Sequence, residues 1–298
     1  MIQGLLAAHL GVEADALEPL AGGQVGRVWR ADVAGRRYVV KLVRAGAEPS
    51  FADEPRDNRV YGARWSNLEP AYRALKSAGV ATPTLHASGI VEGEGFAILD
   101  YLAGGVDDYS EGWFAVVGES LGRLHGVRRA YQGWIGMDAP LTEGWAEAFT
   151  LSLRSRFEDV RPYLTPGQAA LAARRIAEWG PLDEPGEFVL SHTDGFQGVL
   201  ARGAGGGWRL DGVIDIEDHQ FTDRRFVLAG LELGHAIAGR LDLPGAFWAA
   251  YRAAAGVGEE LMGRWRLFQL YYLLVWIRVL QGQDALAACE AWLARLLR

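Results

Sequence analysis

Two short apolar runs in the last third of the chain each stop at a carboxylate, and this pattern restricts how the chain can fold. Val189-Leu190-Ser191 leads into His192-Thr193-Asp194, followed by Gly195-Phe196-Gln197-Gly198-Val199-Leu200. Twenty-one residues after Asp194, Gly212-Val213-Ile214 stops at Asp215, followed by Ile216-Glu217-Asp218. A carboxylate at the end of a buried strand loses hydration and needs a partner or a task. The glycine-rich turn Arg202–Gly207 joins the runs, so Glu187–Leu200 and Trp208–Ile216 read as a hairpin with both carboxylates facing one pocket. One aspartate can then accept a hydroxyl proton while the other holds a metal ion. Two strand-end aspartates that merely cap turns are the plainer alternative. Repetition of the same pattern disfavours it.

The rest of the chain divides around that hairpin. Before residue 103 the spacing is that of strands around turns. Val28, Arg30 and Asp32 alternate with Trp29, Ala31 and Val33, and Ala34-Gly35-Arg36 is a turn. Arg37–Val43 is rich in β-branched residues, and Thr84–Val91 and Phe96–Tyr101 flank Glu92-Gly93-Glu94-Gly95. One helix interrupts, Asn67–Ala78, with Leu68, Tyr72 and Leu75 on its apolar side and Gly79 as its stop. After residue 103 helical spacing dominates: Trp113–His125, Trp145–Tyr163, Thr165–Trp179, Phe226–Gly239, Leu243–Ala255 and Glu259–Leu280. Thr165-Pro166 is an N-cap followed by proline at the first helical position. This segregation of strands and helices predicts an α+β fold of two lobes, 1–102 and 103–298, with a ligand cleft between them.

Charge and cysteine content narrow the function. The net charge of −7 gives no general basic face for nucleic acid. Cys289 is the one cysteine, so an internal disulfide is excluded and no zinc spacing exists. No leader pattern opens the chain, and the most apolar stretch, Leu267–Leu280, is short for a membrane span and carries Gln269 and Arg278. A cytoplasmic protein binding a small molecule, with neither nucleic acid nor membrane as partner, is the expectation.

Phosphoryl transfer needs a cradle for phosphates, a cation, a carboxylate-bound divalent metal and a base. Gly22-Gly23-Gln24-Val25-Gly26 lies between strands and would let backbone approach phosphate oxygens. Alone it reads equally as a hairpin turn, and no Gly-Lys-Ser/Thr follows, so it is not a P-loop. Lys41, fifteen residues after Gly26, sits in Val39-Val40-Lys41-Leu42 and would direct an ammonium inward. Glu69 on the following helix is the candidate to hold it, with Glu54 second.

These residues, taken together, resemble the aminoglycoside phosphotransferase family, which includes choline and fructosamine kinases and belongs to the protein-kinase-like superfamily. The family's His-Gly-Asp and Ile-Asp-Trp segments stand here as His192-Thr193-Asp194 and Ile214-Asp215-Ile216. The glycine loop, Lys41, the helix with Glu69, the Gly79–Pro83 turn, Ile98-Leu99-Asp100-Tyr101 and Leu121-Gly122-Arg123-Leu124-His125 extend the resemblance over most of the chain. It implies Asp194 as catalytic base, Asp215 as magnesium ligand, Gly22, Gly23, Gly26 and Lys41 at the phosphates, and Leu99, Asp100, Tyr101 and Leu102 at the adenine. The nucleotide would be ATP, with GTP as the other candidate.

The chain also departs from that family. The kinase catalytic loop carries asparagine five residues after its aspartate, where this chain has Val199. Gln197 is the only amide nearby and is the candidate second metal ligand. Where the family commonly has Pro and a second Asp after Asp223, the chain has Arg224 and Val227. Glu217, Asp218 and Trp134 are candidate acceptor contacts, joined by His219, Asp107, Asp108, Trp113 and Trp145. Acid groups and indole faces suit an amine, an amino alcohol or a sugar. Three readings follow: a small-molecule kinase, a catalytically weakened nucleotide-binding protein of the same fold, and an unrelated α+β protein in which Lys41, Asp194 and Asp215 lie far apart.

Overall fold

A computed structural model describes residues 1–20, 27–44, 65, 68–104, 109–135, 140, 143–180, 182–192, 196–237, 243–258, 265–281 and 286–298. Helix α1 (Ile2–Leu10) ends at Gly11, whose φ of 80° supplies the left-handed stop. Strands β1 (Ala16–Pro19), β2 (Arg27–Val33) and β3 (Arg36–Arg44), then helix α2 (Leu68–Ser77), β4 (Leu85–Val91) and β5 (Glu94–Asp100) follow. The strands form one antiparallel sheet in the order β1-β2-β3-β5-β4. Ala34-Gly35 and Glu92-Gly93 have positive φ at both positions. That geometry matches the right-handed strand twist at two-residue hairpins.

Strand alternation gives this sheet two different faces. Tyr38, Val40 and Leu42 of β3, with Phe96 and Ile98 of β5, bury against Leu5 and Leu6 of α1. The residues between them, Val39 and Val43 with Ala97 and Leu99, join a larger cluster that continues through α2 into the helical region. Lys41 shares the parity of Val39 and Val43, so it projects toward that side. Helix α2 buries Leu68, Ala71, Tyr72 and Leu75, an i, i+3, i+4, i+7 stripe.

The helical region comprises α3 (Glu111–Leu124), α4 (Trp145–Val160), α5 (Pro166–Trp179), α6 (Arg224–Ile237), α7 (Gly245–Ala255), α8 (Trp265–Val279) and α9 (Leu286–Leu297). Helix α5 starts with the capping box Thr165/Gln168, as its Thr-Pro signal predicts. Helices α3 and α7 pack at unusually close range. A Cβ on Gly118 would stand 2.3 Å from the Phe247 carbonyl oxygen, and one on Gly122 2.7 Å from that of Tyr251. Glycine is therefore required at this crossing.

Among the described residues six short strands lie between these helices: β6 (Arg128–Arg129), β7 (Gly133–Trp134), β8 (Phe188–His192), β9 (Gly198–Arg202), β10 (Trp208–Val213) and β11 (His219–Thr222). The apolar run Glu187–Leu200 is divided between two of them, a correction to the single-hairpin expectation. Only β9 pairs with β10, whereas β8 lies between β6 and β11 in the order β6-β8-β11-β7. Apolar character alone does not reveal where the chain changes sheets. No described helix is long and apolar enough to cross a membrane.

Candidate active site

Lys41 reaches across to the turn after β10. Its Nζ donates to Asp215 Oδ1 at 2.9 Å, a contact between residues 174 positions apart, and is ion-paired with Glu217 as well. The Lys41 and Glu217 side chains retain only 13% and 3% exposure, whereas Asp215 keeps 37%. Burial works against the lysine's charge. The Glu217 and Asp215 carboxylates outweigh it and hold Lys41 above the ordinary lysine range. Burial likewise disfavours ionised Asp215, but the charge and hydrogen bond of Lys41, with smaller contributions from His192 and His219, keep its carboxyl below the usual range. Tyr72 on α2 is buried beside this cluster. Burial first, then the Glu217 and Asp215 charges, push its hydroxyl well above ten.

The backbone around Asp215 is unusual. Asp215 has φ 55° and ψ 42°, a left-handed conformation that aspartate tolerates better than most residues. The next three residues, Ile216–Asp218, form a 3-10 turn, and β11 begins at His219. His219 Nδ1 donates back to the Asp215 carbonyl at 2.9 Å. Its fully buried ring stands edge-on to that of His192, 5.3 Å away across the β8–β11 register pair. Burial lowers His219 to about 4, although the hydrogen bond and charge of Asp215 pull upward. One residue before Asp215, the Ile214 N–H donates to the Gln197 carbonyl at 3.0 Å, so the Gln197 backbone pairs with the residue that precedes Asp215.

A buried polar chain supports β8 just before His192. His125, after the end of α3, bonds to the Tyr251 hydroxyl at 2.8 Å and to the Ser191 hydroxyl. Burial holds this imidazole well below its ordinary range, in the neutral form.

Residues 99–102 form the crossing from the sheet to the helical region. Leu99 is buried. The Asp100 N–H donates to Thr84 O and the Tyr101 N–H to Arg37 O, so both amides are already engaged. The Asp100 carboxylate bonds to His86 at 2.7 Å, and the Arg37 guanidinium lies over the Tyr101 ring. Leu102 passes over Gly212, where a Cβ would meet Leu102 Cδ1 at 2.8 Å. The Val213 N–H donates to Ala81 O in the loop between α2 and β4, a second tie of the hairpin to the residues before 103.

The sequence-derived candidates fare differently. Lys41 and Asp215 come together, which the unrelated-fold reading does not allow. Glu69 does not hold Lys41. It lies one residue off the buried stripe of α2, is 77% exposed and pairs with Arg73 at 2.8 Å. Glu217, expected at the acceptor, instead faces Lys41 with almost no exposure. Trp134 is half-buried on β7 opposite Gln220. Asp218 lies in the 3-10 turn. Asp194, Gly22, Gly23, Gly26, Glu54, Asp107 and Asp108 lie outside the described residues. The place of Tyr72 beside the cluster, and His219's backbone tie to Asp215, were missed by sequence reasoning. The apolar stripe of α2 carried a usable signal for the first.

No group of three or more His, Cys, Asp or Glu among the described residues forms a self-sufficient metal cage. The Asp215 carboxylate, which keeps solvent access, fits magnesium, an ion that takes one or two protein oxygens and completes its shell with phosphate and water.

The model of the phosphotransferase enzyme family matches residues 16–268. A fructosamine-3-kinase candidate from Haemophilus somnus 129PT aligns over 100% of this chain and 97% of its own, at 16% identity and TM-score 0.63. A thermostable mutant of aminoglycoside phosphotransferase APH(4)-Ia, in ternary complex with AMP-PNP and hygromycin B, aligns over 100% and 98%, at 18% identity and TM-score 0.66. Spectinomycin phosphotransferase APH(9)-Ia, in complex with ADP and spectinomycin, aligns over 99% and 91%, at 13% identity and TM-score 0.58. No curated protein matches the chain. At these identities the structural likeness carries the fold: a small antiparallel-sheet lobe and a larger helical lobe of protein-kinase type.

Proposed function

The chain belongs to the phosphotransferase enzyme family, and we propose that it transfers the γ-phosphoryl group of ATP, with magnesium, to a hydroxyl of an aminoglycoside-, amino alcohol- or sugar-like molecule. The observation that carries this reading is Lys41 meeting Asp215 at 2.9 Å across 174 residues of sequence. A cation from the sheet and a carboxylate from the hairpin are the pair that a phosphate–metal unit requires.

In this reading residues 1–102 bind the nucleotide and 103–298 carry the catalytic loop and the acceptor. Leu99–Leu102 border the adenine, Gly22, Gly23 and Gly26 approach the phosphates, and Lys41 turns from the carboxylates toward α- and β-phosphate oxygens. Asp215 and Gln197 would hold magnesium, which neutralises charge on the phosphates when bound. Asp194 accepts the proton of the attacking hydroxyl. The acceptor oxygen forms its bond to γ-phosphorus as the bond to the bridging oxygen breaks and ADP leaves. Trp134 and Asp218 are the remaining proposed acceptor contacts.

The test is ATP consumption, with GTP in parallel, against a panel of amino sugars, amino alcohols and ketosamines. Turnover is expected with one of these classes, and Asp194→Ala should lower it by about 10²–10⁴-fold. Turnover that survives Asp194→Ala overturns the base assignment. Magnesium-dependent nucleotide binding without turnover on any acceptor overturns the proposed acceptor class.

A further inference from the structure

We propose that His219 is a positioning residue for the metal-bearing carboxylate: its Nδ1–H fixes the Asp215 backbone in the left-handed conformation that presents the carboxylate to Lys41 and to magnesium. This rests on the magnesium–nucleotide reading above and extends it to a residue that does not touch the nucleotide or the ion.

The geometry is specific. Asp215 is one of four non-glycine residues with positive φ among the described positions, at 55°. The other three, Ala34, Glu92 and Tyr109, lie outside the cluster around Lys41. A carbonyl oxygen only accepts, so the 2.9 Å contact to Asp215 O makes Nδ1 the protonated nitrogen of His219. The neutral ring then offers Nε2 as an acceptor only, and Nε2 is buried without a hydrogen-bond partner among the described residues. The ring's polar hold on the site thus runs through Nδ1. The ring is completely buried and lies edge-on to His192 at 5.3 Å. His192 stands two residues before Asp194. One imidazole therefore sets the turn that carries the metal ligand and packs against the strand end that leads to the base. Partners that orient a metal ligand from behind commonly affect metal affinity by about 10–100-fold.

An amide distinguishes the donor from the ring. Asparagine places an N–H near Nδ1, whereas glutamine places its amide further out, near Nε2. Affinity for a non-hydrolysable ATP analogue is measured by calorimetry with magnesium and with EDTA, in the wild type and in His219→Asn, His219→Gln and His219→Leu. The wild type should bind more tightly with magnesium. His219→Asn should keep that gain, while His219→Leu and His219→Gln should lose about tenfold of it, with affinity in EDTA unchanged within about twofold. If the leucine variant does not fold, the asparagine–glutamine pair still decides. Retention of the full gain in His219→Gln or His219→Leu overturns the inference. Equal loss in all three variants overturns it too, because the ring's packing on His192 would then be responsible. A wild type without any magnesium-dependent gain removes the underlying nucleotide reading itself, a different outcome from either.

Discussion

Replacing Glu217 by glutamine removes one of the two carboxylates that hold the Lys41 ammonium while preserving side-chain shape. Both partners are nearly buried, with 13% and 3% exposure. Stranding a buried charge costs about 3–5 kcal/mol. Here the charge is not stranded, because Asp215 stays at 2.9 Å from Nζ. What is lost is the difference between a charged and a neutral acceptor, about 1–2 kcal/mol. Lys41 is held above the ordinary lysine value of 10.5, so its contribution is complete below that value and fades only as pH rises through the higher folded one. Asp215 is held below 3.8, so its contribution is complete above that value and fades as pH falls through the lower folded one. A measurement at pH 7 therefore lies on the plateau of both. Urea unfolding should show Glu217→Gln destabilised by about 1–2 kcal/mol. If Glu217 also keeps Lys41 aimed once phosphates arrive, calorimetry should show nucleotide affinity lowered by about 3–10-fold, since 1.4 kcal/mol corresponds to tenfold. The KM of the acceptor should be unchanged. Unaltered nucleotide affinity with a raised acceptor KM would refute this argument and return Glu217 to the acceptor side.

Other consequences are equally direct. Glu69→Ala should leave nucleotide affinity unchanged and cost no more than about 1 kcal/mol in urea unfolding, since it contributes an exposed i,i+4 pair with Arg73 and a negative charge in the first turn of α2; a tenfold loss of nucleotide affinity would restore it as the anchor of Lys41. Gly118→Ala should destabilise by about 1–3 kcal/mol despite alanine's better helix propensity, because its Cβ would stand 2.3 Å from the Phe247 carbonyl. Gly4→Ala in α1, where nothing lies within 4 Å, should instead stabilise by about 0.5–1 kcal/mol, and thermal melts that fail to give opposite signs would contradict the close α3–α7 crossing. His125 is neutral and well below 6.5 when folded, so the unfolded chain binds its proton first and stability falls as pH drops below 6.5. Urea midpoints at pH 8 and pH 5 should therefore differ less in His125→Gln than in the wild type.

The amino-acid sequence carried the periodicities and their order. Alternation in Val39-Val40-Lys41-Leu42-Val43 was enough to place Lys41 with one set of apolar neighbours and opposite the other. The spacing Leu68, Tyr72, Leu75 drew the buried face of α2, which in the structure also takes in Ala71, and it carried unused information as well. Glu69 lies about 100° around the helix from Leu68, so the same stripe that identified the helix pointed its glutamate toward solvent. The strand-end position of Asp215 was legible for a local reason: an apolar run that stops at a carboxylate. Tertiary structure decided which carboxylates meet Lys41, because that choice joins segments 174 residues apart and depends on how the hairpin docks below the sheet. It also decided the left-handed turn at Asp215 and the return bond from His219, since an Asp-to-His spacing of four has no meaning until β11 pairs with β8 and buries the ring. The division of Glu187–Leu200 between two sheets was hidden for the same reason: strand partners are chosen by packing, and one apolar run reads like another.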